Sequence, residues 1–235
     1  MKAMILAAGV GSRLRPLTDE IPKALIEVGG KPMLERVILR LVAAGVDGII
    51  INTHHHADKV ARFLEEKNNF GIRVEQSCEP QLLDTGGGIK KASWFFSDGE
   101  PFLVHNADVF TDMDINALYA AHLRGGALVT MAVSARETSR PLAFGPDGFL
   151  RGRWTKSPEF ADCARLGNGD VYAVSPAALP LMTETGPFSI VEFFLRLARE
   201  GGKIKAFRCD RWFWSDIGRP ETLEKARVFA ARNTP

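Results

Sequence analysis

A short apolar run, Ala3-Met4-Ile5-Leu6-Ala7, gives way abruptly to Ala8, Gly9 and Gly11, and then to Arg13, Arg15 and Lys23. A strand buried on both faces reads as such a run, so its sudden end predicts a sharp turn at the carboxyl edge of a parallel sheet. Two glycines let backbone N–H groups approach an anion closely, and three cations share the same segment. The guest this combination suits is a polyphosphate. Two common phosphate loops are excluded by the residues after Gly11. A Walker A loop needs Gly-Lys and then Ser or Thr, but Ser12 and Arg13 follow Gly11; a dinucleotide fingerprint needs a third glycine where Leu14 stands. An NAD-dependent oxidoreductase therefore lacks its loop.

The wider string, Leu-Ala-Ala-Gly-x-Gly-x-Arg-x-x-Pro-Leu-Thr followed by Pro22-Lys23-Ala24-Leu25, resembles the signature of the sugar-1-phosphate nucleotidyltransferases. The resemblance implies that Ala8, Gly9, Gly11 and Arg13 wrap a nucleoside triphosphate and that Lys23 contacts phosphate. Asp84-Thr85-Gly86-Gly87-Gly88 resembles the Glu-Thr-Gly-Gly-Gly of the N-acetylmuramate-1-phosphate uridylyltransferases, with Asp84 in place of glutamate. By that likeness the segment lies against the nucleobase. From the residues themselves, three glycines opening a helical stretch meet a need for close backbone approach or unusual dihedrals.

Asn106-Ala107-Asp108 ends the next apolar strand, Pro101 to His105, and an aspartate just past a parallel strand suits a hard cation such as Mg²⁺. Asp108 is thus the first candidate metal ligand. Its rival role as a helix cap falls better to Asp112 or Asp114, directly before the helix expected at Ile115 to Leu123. Asp216 lies four residues before Pro220, too far back to cap the last helix. The string Trp-x-Asp-Ile-Gly-x-Pro-Glu around it resembles the family's second metal-ligand motif. The same resemblance assigns Asn106, Lys156 and Gly169 to the sugar phosphate, although Thr155 stands where the family's Glu-Lys-Pro motif has glutamate.

Along the chain, Ala24 to Val28 reads as a strand, Pro32 to Val42 as a helix stopped by Gly45, and Val46 to Ile51 as a strand. His54, His55 and His56 follow; consecutive histidines point in different directions, so they read as a solvated loop rather than a metal cluster. Further strand and helix alternation gives an α/β class: one doubly wound, Rossmann-like domain spanning residues 1–235, with a mixed, mainly parallel sheet. Pro146-Asp147-Gly148 predicts a hairpin within Leu142 to Trp154, and a small β-rich substrate lobe is expected from about residue 140 to 175.

A net charge of +2 gives no reason for a nucleic-acid partner or a membrane surface. Three scattered cysteines without a Cys-x-x-Cys pair suit free thiols, and a cytoplasmic monomer or homodimer is expected. The resemblance covers nearly all of the chain and leaves no room for the acyltransferase or β-helix domain of some relatives. It implies attack of a sugar 1-phosphate on the α-phosphorus of a nucleoside triphosphate with Mg²⁺ as cofactor. The Asp84 segment favours UTP with an N-acetylmuramate- or N-acetylhexosamine-type acceptor. Mannose- or heptose-1-phosphate guanylyl transfer with GTP is the alternative, and a non-catalytic nucleotide sensor the alternative of another class.

Overall fold

In the computed structural model, which describes residues 1–233, the run after Met1 forms strand β1 (Lys2–Leu6), and its successive side chains face opposite layers. Ala3 and Ile5 join one buried cluster, Met4 and Leu6 the other. Both faces of the sheet are therefore covered, which is why the strand is apolar throughout.

After α1 (Leu17–Glu20), the ribbon β2 (Glu27–Val28) and β3 (Lys31–Pro32) leads into α2 (Met33–Ala43). The chain continues through β4 (Gly48–Thr53), α3 (Ala57–Glu66), β5 (Arg73–Cys78), α4 (Asp84–Lys91), β6 (Phe102–Asn106), β7 (Val109–Thr111) and α5 (Ile115–Gly125). Its second half comprises β8 (Val129–Ser134), β9 (Leu142–Phe144), β10 (Leu150–Arg153), β11 (Ala164–Val174), α6 (Ile190–Arg199), β12 (Ile204–Arg208), β13 (Trp214–Asp216) and α7 (Pro220–Asn233). The central sheet runs β5-β4-β1-β6-β11-β8-β12, and β11 alone points against its neighbours. The expected mixed, mainly parallel sheet is observed.

Helices α2, α3 and α5 cover one face through Leu34, Ile38, Leu41, Val60, Leu64 and Leu118. Ile89 of α4 and Phe193, Phe194 and Leu197 of α6 cover the other. Each such side chain contributes about 1.5–3 kcal/mol on burial. A third, smaller cluster gathers Leu14, Val28, Met33, Ile217, Leu223 and Ala226, so α7 holds the glycine loop and the end of β13 to one another.

Two expectations need correction. Ala24 to Val28 is not one strand: Lys23–Leu25 is a 3-10 turn, and only Glu27–Val28 pairs, with Lys31–Pro32. The hydrogen bonds Leu25 N to Pro22 O and Ile26 N to Lys23 O capture the backbone locally. The lobe is also less separate than expected. Its hairpin, β9 and β10, is an addition, but its last strand, β11, leaves β9 at Leu166 and continues into the central sheet beside β6 and β8.

His54 to His56 form the expected strand-to-helix loop, with His54 Nδ1 2.7 Å from Glu79 O and His56 Nε2 3.1 Å from Asp19 O. Cys78, Cys163 and Cys209 are free thiols. Among the described residues, no helix is long and apolar enough to cross a membrane.

Candidate active site

The carboxyl ends of β1 and β6 open into a cleft of about 230 Å³ lined by Ala8, Gly9, Lys23, Asn106 and Asp108, and also by Leu82, Asp84 and Thr85. Gly9 and Gly11 do different work here. A Cβ on Gly9 would meet nothing within 4 Å, so the backbone there faces open space. Gly11 adopts a left-handed φ of 70°, and a Cβ on it would stand 2.8 Å from Thr18 Cγ2 and 3.1 Å from Lys23 Cβ. The first glycine leaves space for a guest; the second lets the loop close.

A second cavity, about 560 Å³, shares Asn106 and Asp108 with the cleft and adds Arg13, Arg136, Asp170 and Asp216. Lys23 Nζ donates to Asp108 Oδ2. The two candidate metal ligands come together because β7 pairs antiparallel with β13: Asp216 opposes Val109, and Ile217 N donates to Asp108 O at 2.8 Å. Asp216 Oδ1 in turn accepts from Gly218 N at 2.9 Å. Gly218 is the junction of the charged groups: a Cβ placed on it would lie 2.8 Å from Asp216 Oδ1, 3.1 Å from an Arg13 terminal nitrogen and 3.4 Å from Lys23 Nζ. A methyl group there would crowd the Asp216 carboxylate and the Arg13 guanidinium and touch Lys23 Nζ.

No group of three or more His, Cys, Asp or Glu side chains among the described residues is arranged to hold a metal. An all-protein cage is therefore not present among them. Two carboxylates on one cavity are nonetheless the donor set that suits Mg²⁺, which keeps waters and takes its remaining ligands from substrate phosphates. Asp108 and Asp216 fit that cation; Asp112 and Asp114 serve the backbone, Asp114 capping α5 through Ala117 N at 2.9 Å and Asp112 accepting from Phe213 N at 2.7 Å.

Gly86, Gly87 and Gly88 are placed differently from expectation. They lie buried in the first turns of α4, and Gly86 N and Gly87 N both donate to Phe188 O, at 2.8 and 3.3 Å. Those two N–H groups are thus engaged within the protein. A Cβ on Gly88 would press on Asn52 Nδ2 at 2.6 Å and Glu79 Oε1 at 2.8 Å, two groups hydrogen-bonded to each other at 2.7 Å. The triple glycine is thus a packing requirement, and Asp84 and Thr85 are its cleft-facing neighbours. Thr85 Oγ1 accepts from Ile190 N at 2.9 Å, and Asp84 Oδ1 accepts from Thr85 N at 2.6 Å.

The acceptor side also departs from expectation. Lys156 is exposed on the lobe and is not among the residues lining either cavity. Gly169 is buried against β8, where a Cβ would stand 2.9 Å from Ala132 O, and its own carbonyl accepts from Trp214 Nε1 at 2.8 Å. Asn106 lines both cavities, with its Oδ1 enclosed and unpartnered among the described residues.

Pattern reading missed Asp170 and Arg136. The register of β11 against β8 jumps between Asn168 and Tyr172, a bulge that gives Asp170 a φ of 56° and turns its carboxyl onto Asn168 Nδ2 at 2.7 Å and the Tyr172 hydroxyl at 3.1 Å. The usable signal was the strand's one acid, set between Gly169 and the apolar run that begins at Val171.

Burial and the neighbouring Asp108 push the Asp170 carboxyl up to about 7, against the pull of Tyr172 and Arg136. Its native form retains a proton that the unfolded chain loses above its ordinary value of 3.8. The resulting cost to stability is absent below that value and reaches its full size as pH rises through about 7. Asp170→Asn should therefore raise the melting temperature in chelator-treated buffer, more at pH 8 than at pH 5. His105, pushed down to about 4 mainly by burial, slopes the opposite way below its ordinary value but is common to both proteins and cancels. An equal or greater gain at pH 5 would show that Asp170 does not carry this strain.

The family model for nucleotidyl transferases matches residues 2–146. A mannose-1-phosphate guanyltransferase from Gibberella zeae is 32% identical over 228 residues, which span 94% of this chain and 62% of that protein. The chain thus spans under two thirds of the length of such curated relatives. Among solved structures, HddC from Yersinia pseudotuberculosis complexed with GMP-PN is 25% identical, with a TM-score of 0.76 over 97% of this chain and 98% of that one. A protein from Bacillus anthracis described as a glucose-1-phosphate thymidylyltransferase shares the fold at a TM-score of 0.85 and 20% identity, over 100% of this chain and 96% of that one. With its glycine loop, paired aspartates and mixed sheet, the chain belongs to the nucleotidyl transferase family.

Proposed function

We propose that the chain transfers a nucleotidyl group to a sugar 1-phosphate, with GTP as donor and mannose 1-phosphate or a closely related aldose 1-phosphate as acceptor. The observation that carries the reaction type is the convergence of Arg13, Lys23 and Asp216 around Gly218, on the cavity that Asp108 shares. A phosphate monoester has a second pKa of about 6, so the acceptor is ionised at neutral pH and needs no general base. The difficulty is that two anions must meet. Arg13 and Lys23 offset charge on the triphosphate, and the open backbone at Gly9 admits its phosphates. Mg²⁺ held by Asp108 and Asp216 would supply Lewis-acid stabilisation of the phosphoryl oxygens. The acceptor oxygen forms the new bond to the α-phosphorus as the bond to the β-phosphate bridge breaks and pyrophosphate leaves.

Two observations support guanine over the uracil that the glycines of the Asp84 segment suggest. The guanyltransferase relatives are similar across nearly the whole chain. Asp84, which lines the cleft with Lys23, also offers a carboxylate, which accepts hydrogen bonds only. Guanine presents two adjacent donors, N1–H and the 2-amino group; uracil presents one, flanked by carbonyl oxygens that a carboxylate repels.

Pyrophosphate release across a panel of triphosphates and sugar 1-phosphates tests the reading. GTP with mannose 1-phosphate should exceed UTP with N-acetylhexosamine 1-phosphate by tenfold or more, about 1.4 kcal/mol of transition-state preference. The reverse ratio restores the uridylyl reading, and nucleotide binding without turnover makes the chain a sensor. Asp84→Ala should reduce kcat/KM for GTP by about 10–100-fold, the loss of one bidentate base contact worth about 1–3 kcal/mol, and leave UTP within a few-fold. Equal losses for both nucleotides would remove Asp84 from base recognition.

A further inference from the structure

The cavity that holds the paired aspartates is also lined by Arg136 and Arg219, cations to which the proposed reaction gives no task; Arg219 is exposed, whereas Arg136 is half-buried and held in place. Arg136 follows the end of β8 and lines both this cavity and the adjoining one beneath the lobe. Its guanidinium lies 3.9 Å over the Trp214 ring and donates to Asn168 O at 2.7 Å, while its Nε is enclosed without a partner among the described residues. The segment Gly167-Asn168-Gly169 makes this seat. A Cβ on Gly167 would press on Arg136 Cγ at 3.0 Å and Nε at 3.2 Å, and the Gly169 carbonyl fixes the Trp214 indole on which the guanidinium rests.

We propose that Arg136 binds the phosphate of the incoming sugar 1-phosphate, the task the sequence resemblance assigns to Lys156. This assignment rests on the reaction proposed above. A planar guanidinium held by a stacked ring and one carbonyl keeps other donors for a bidentate grip on a phosphate, at little further entropic cost. Position separates Arg136 from its neighbours. Arg140 and Arg153 line the lobe cavity, and Arg153 is paired with Glu192; Arg136 alone of the three also lines the cavity of Asp108 and Asp216, where the acceptor phosphate must react. The charge also offsets the facing carboxyl of Asp170, so acceptor phosphate and protein acid draw on one cation.

Steady-state pyrophosphate release, with the triphosphate dissociation constant measured separately by calorimetry, tests the proposal. Arg136→Gln should raise KM for the sugar 1-phosphate tenfold or more while leaving the triphosphate constant within about twofold, and Lys156→Ala should change neither. Gly167→Ala, which displaces the guanidinium without removing its charge, should raise the same KM and provides the reading if Arg136→Gln does not fold. An unchanged acceptor KM in a folded variant, a matching loss in triphosphate binding, or a tenfold acceptor defect in Lys156→Ala would overturn the assignment. Absence of pyrophosphate release by the parent protein with every pair would instead overturn the reaction itself, and the assignment with it.

Discussion

Asp108→Ala and Asp216→Asn are each expected to lower kcat for pyrophosphate release by on the order of 10³-fold, about 4 kcal/mol. Both carboxylates face the cavity in which two anionic substrates must approach, and each variant removes a formal negative charge from the set that suits Mg²⁺. Asparagine is chosen at Asp216 because its carbonyl still accepts from Gly218 N; a bare alanine would leave that donor unpaired at a cost of about 1–3 kcal/mol. Asp108→Ala also releases Lys23 from its ion pair, so its triphosphate affinity should hold or rise even as turnover fails. Turnover within threefold of the parent, at equal melting temperature, would remove these residues from the metal site.

Gly86→Ala should be the most damaging of the small substitutions to the fold, at about 3 kcal/mol. Its methyl group would collide with the Phe188 ring and stand 2.9 Å from Phe188 O, the carbonyl that accepts from both Gly86 and Gly87. For a chain of this size that loss lowers the melting temperature by roughly 6–12 °C. Gly9→Ala meets no atom within 4 Å and should leave the melting temperature within about 2 °C, while weakening triphosphate binding because the methyl occupies the guest's space. Thermal melts of the two variants side by side check this. Similar melting losses in both would refute the division between packing glycines and guest-facing glycines.

The parts of this protein that a linear reading captures are those whose cause is local. The apolar run into Gly9 shows a two-faced strand and its exit, and Asp108 follows its strand by two residues, so both sites are visible from short spacing alone. The stripe through Leu34, Ile38 and Leu41 identifies α2 in the same way. Missed features depend on what lies across the sheet. Gly86 is glycine because of Phe188, over a hundred positions away, and Gly218, already tight against Asp216, also has Arg13 from near the other terminus against it. Lys156 stands in a partial motif yet lies away from the cavity, whereas Arg136, which no motif marks, lines it and is seated by the β11 bulge and by Trp214 on a third strand. A uridylyl preference leans on the glycines of the Asp84 segment; the N–H groups of Gly86 and Gly87 are bonded to Phe188 O, a partner that the segment's own spacing does not show.

The reversed direction of β11 separates how the two halves of the site can change. The parallel strands β1, β4 and β6 meet the cleft with their ends, so the proposed donor half is built largely from the segments that follow them, whose length and composition can vary without disturbing strand pairing. The acceptor half is met by the middle of β11, where Gly167 to Asp170 are locked between hydrogen-bonded stretches on either side, and an inserted residue would shift every later side chain to the wrong face. For the proposed transfer, new nucleotide preferences are therefore accessible to this scaffold by loop exchange, whereas new sugar preferences must come by single substitutions that keep the strand's register.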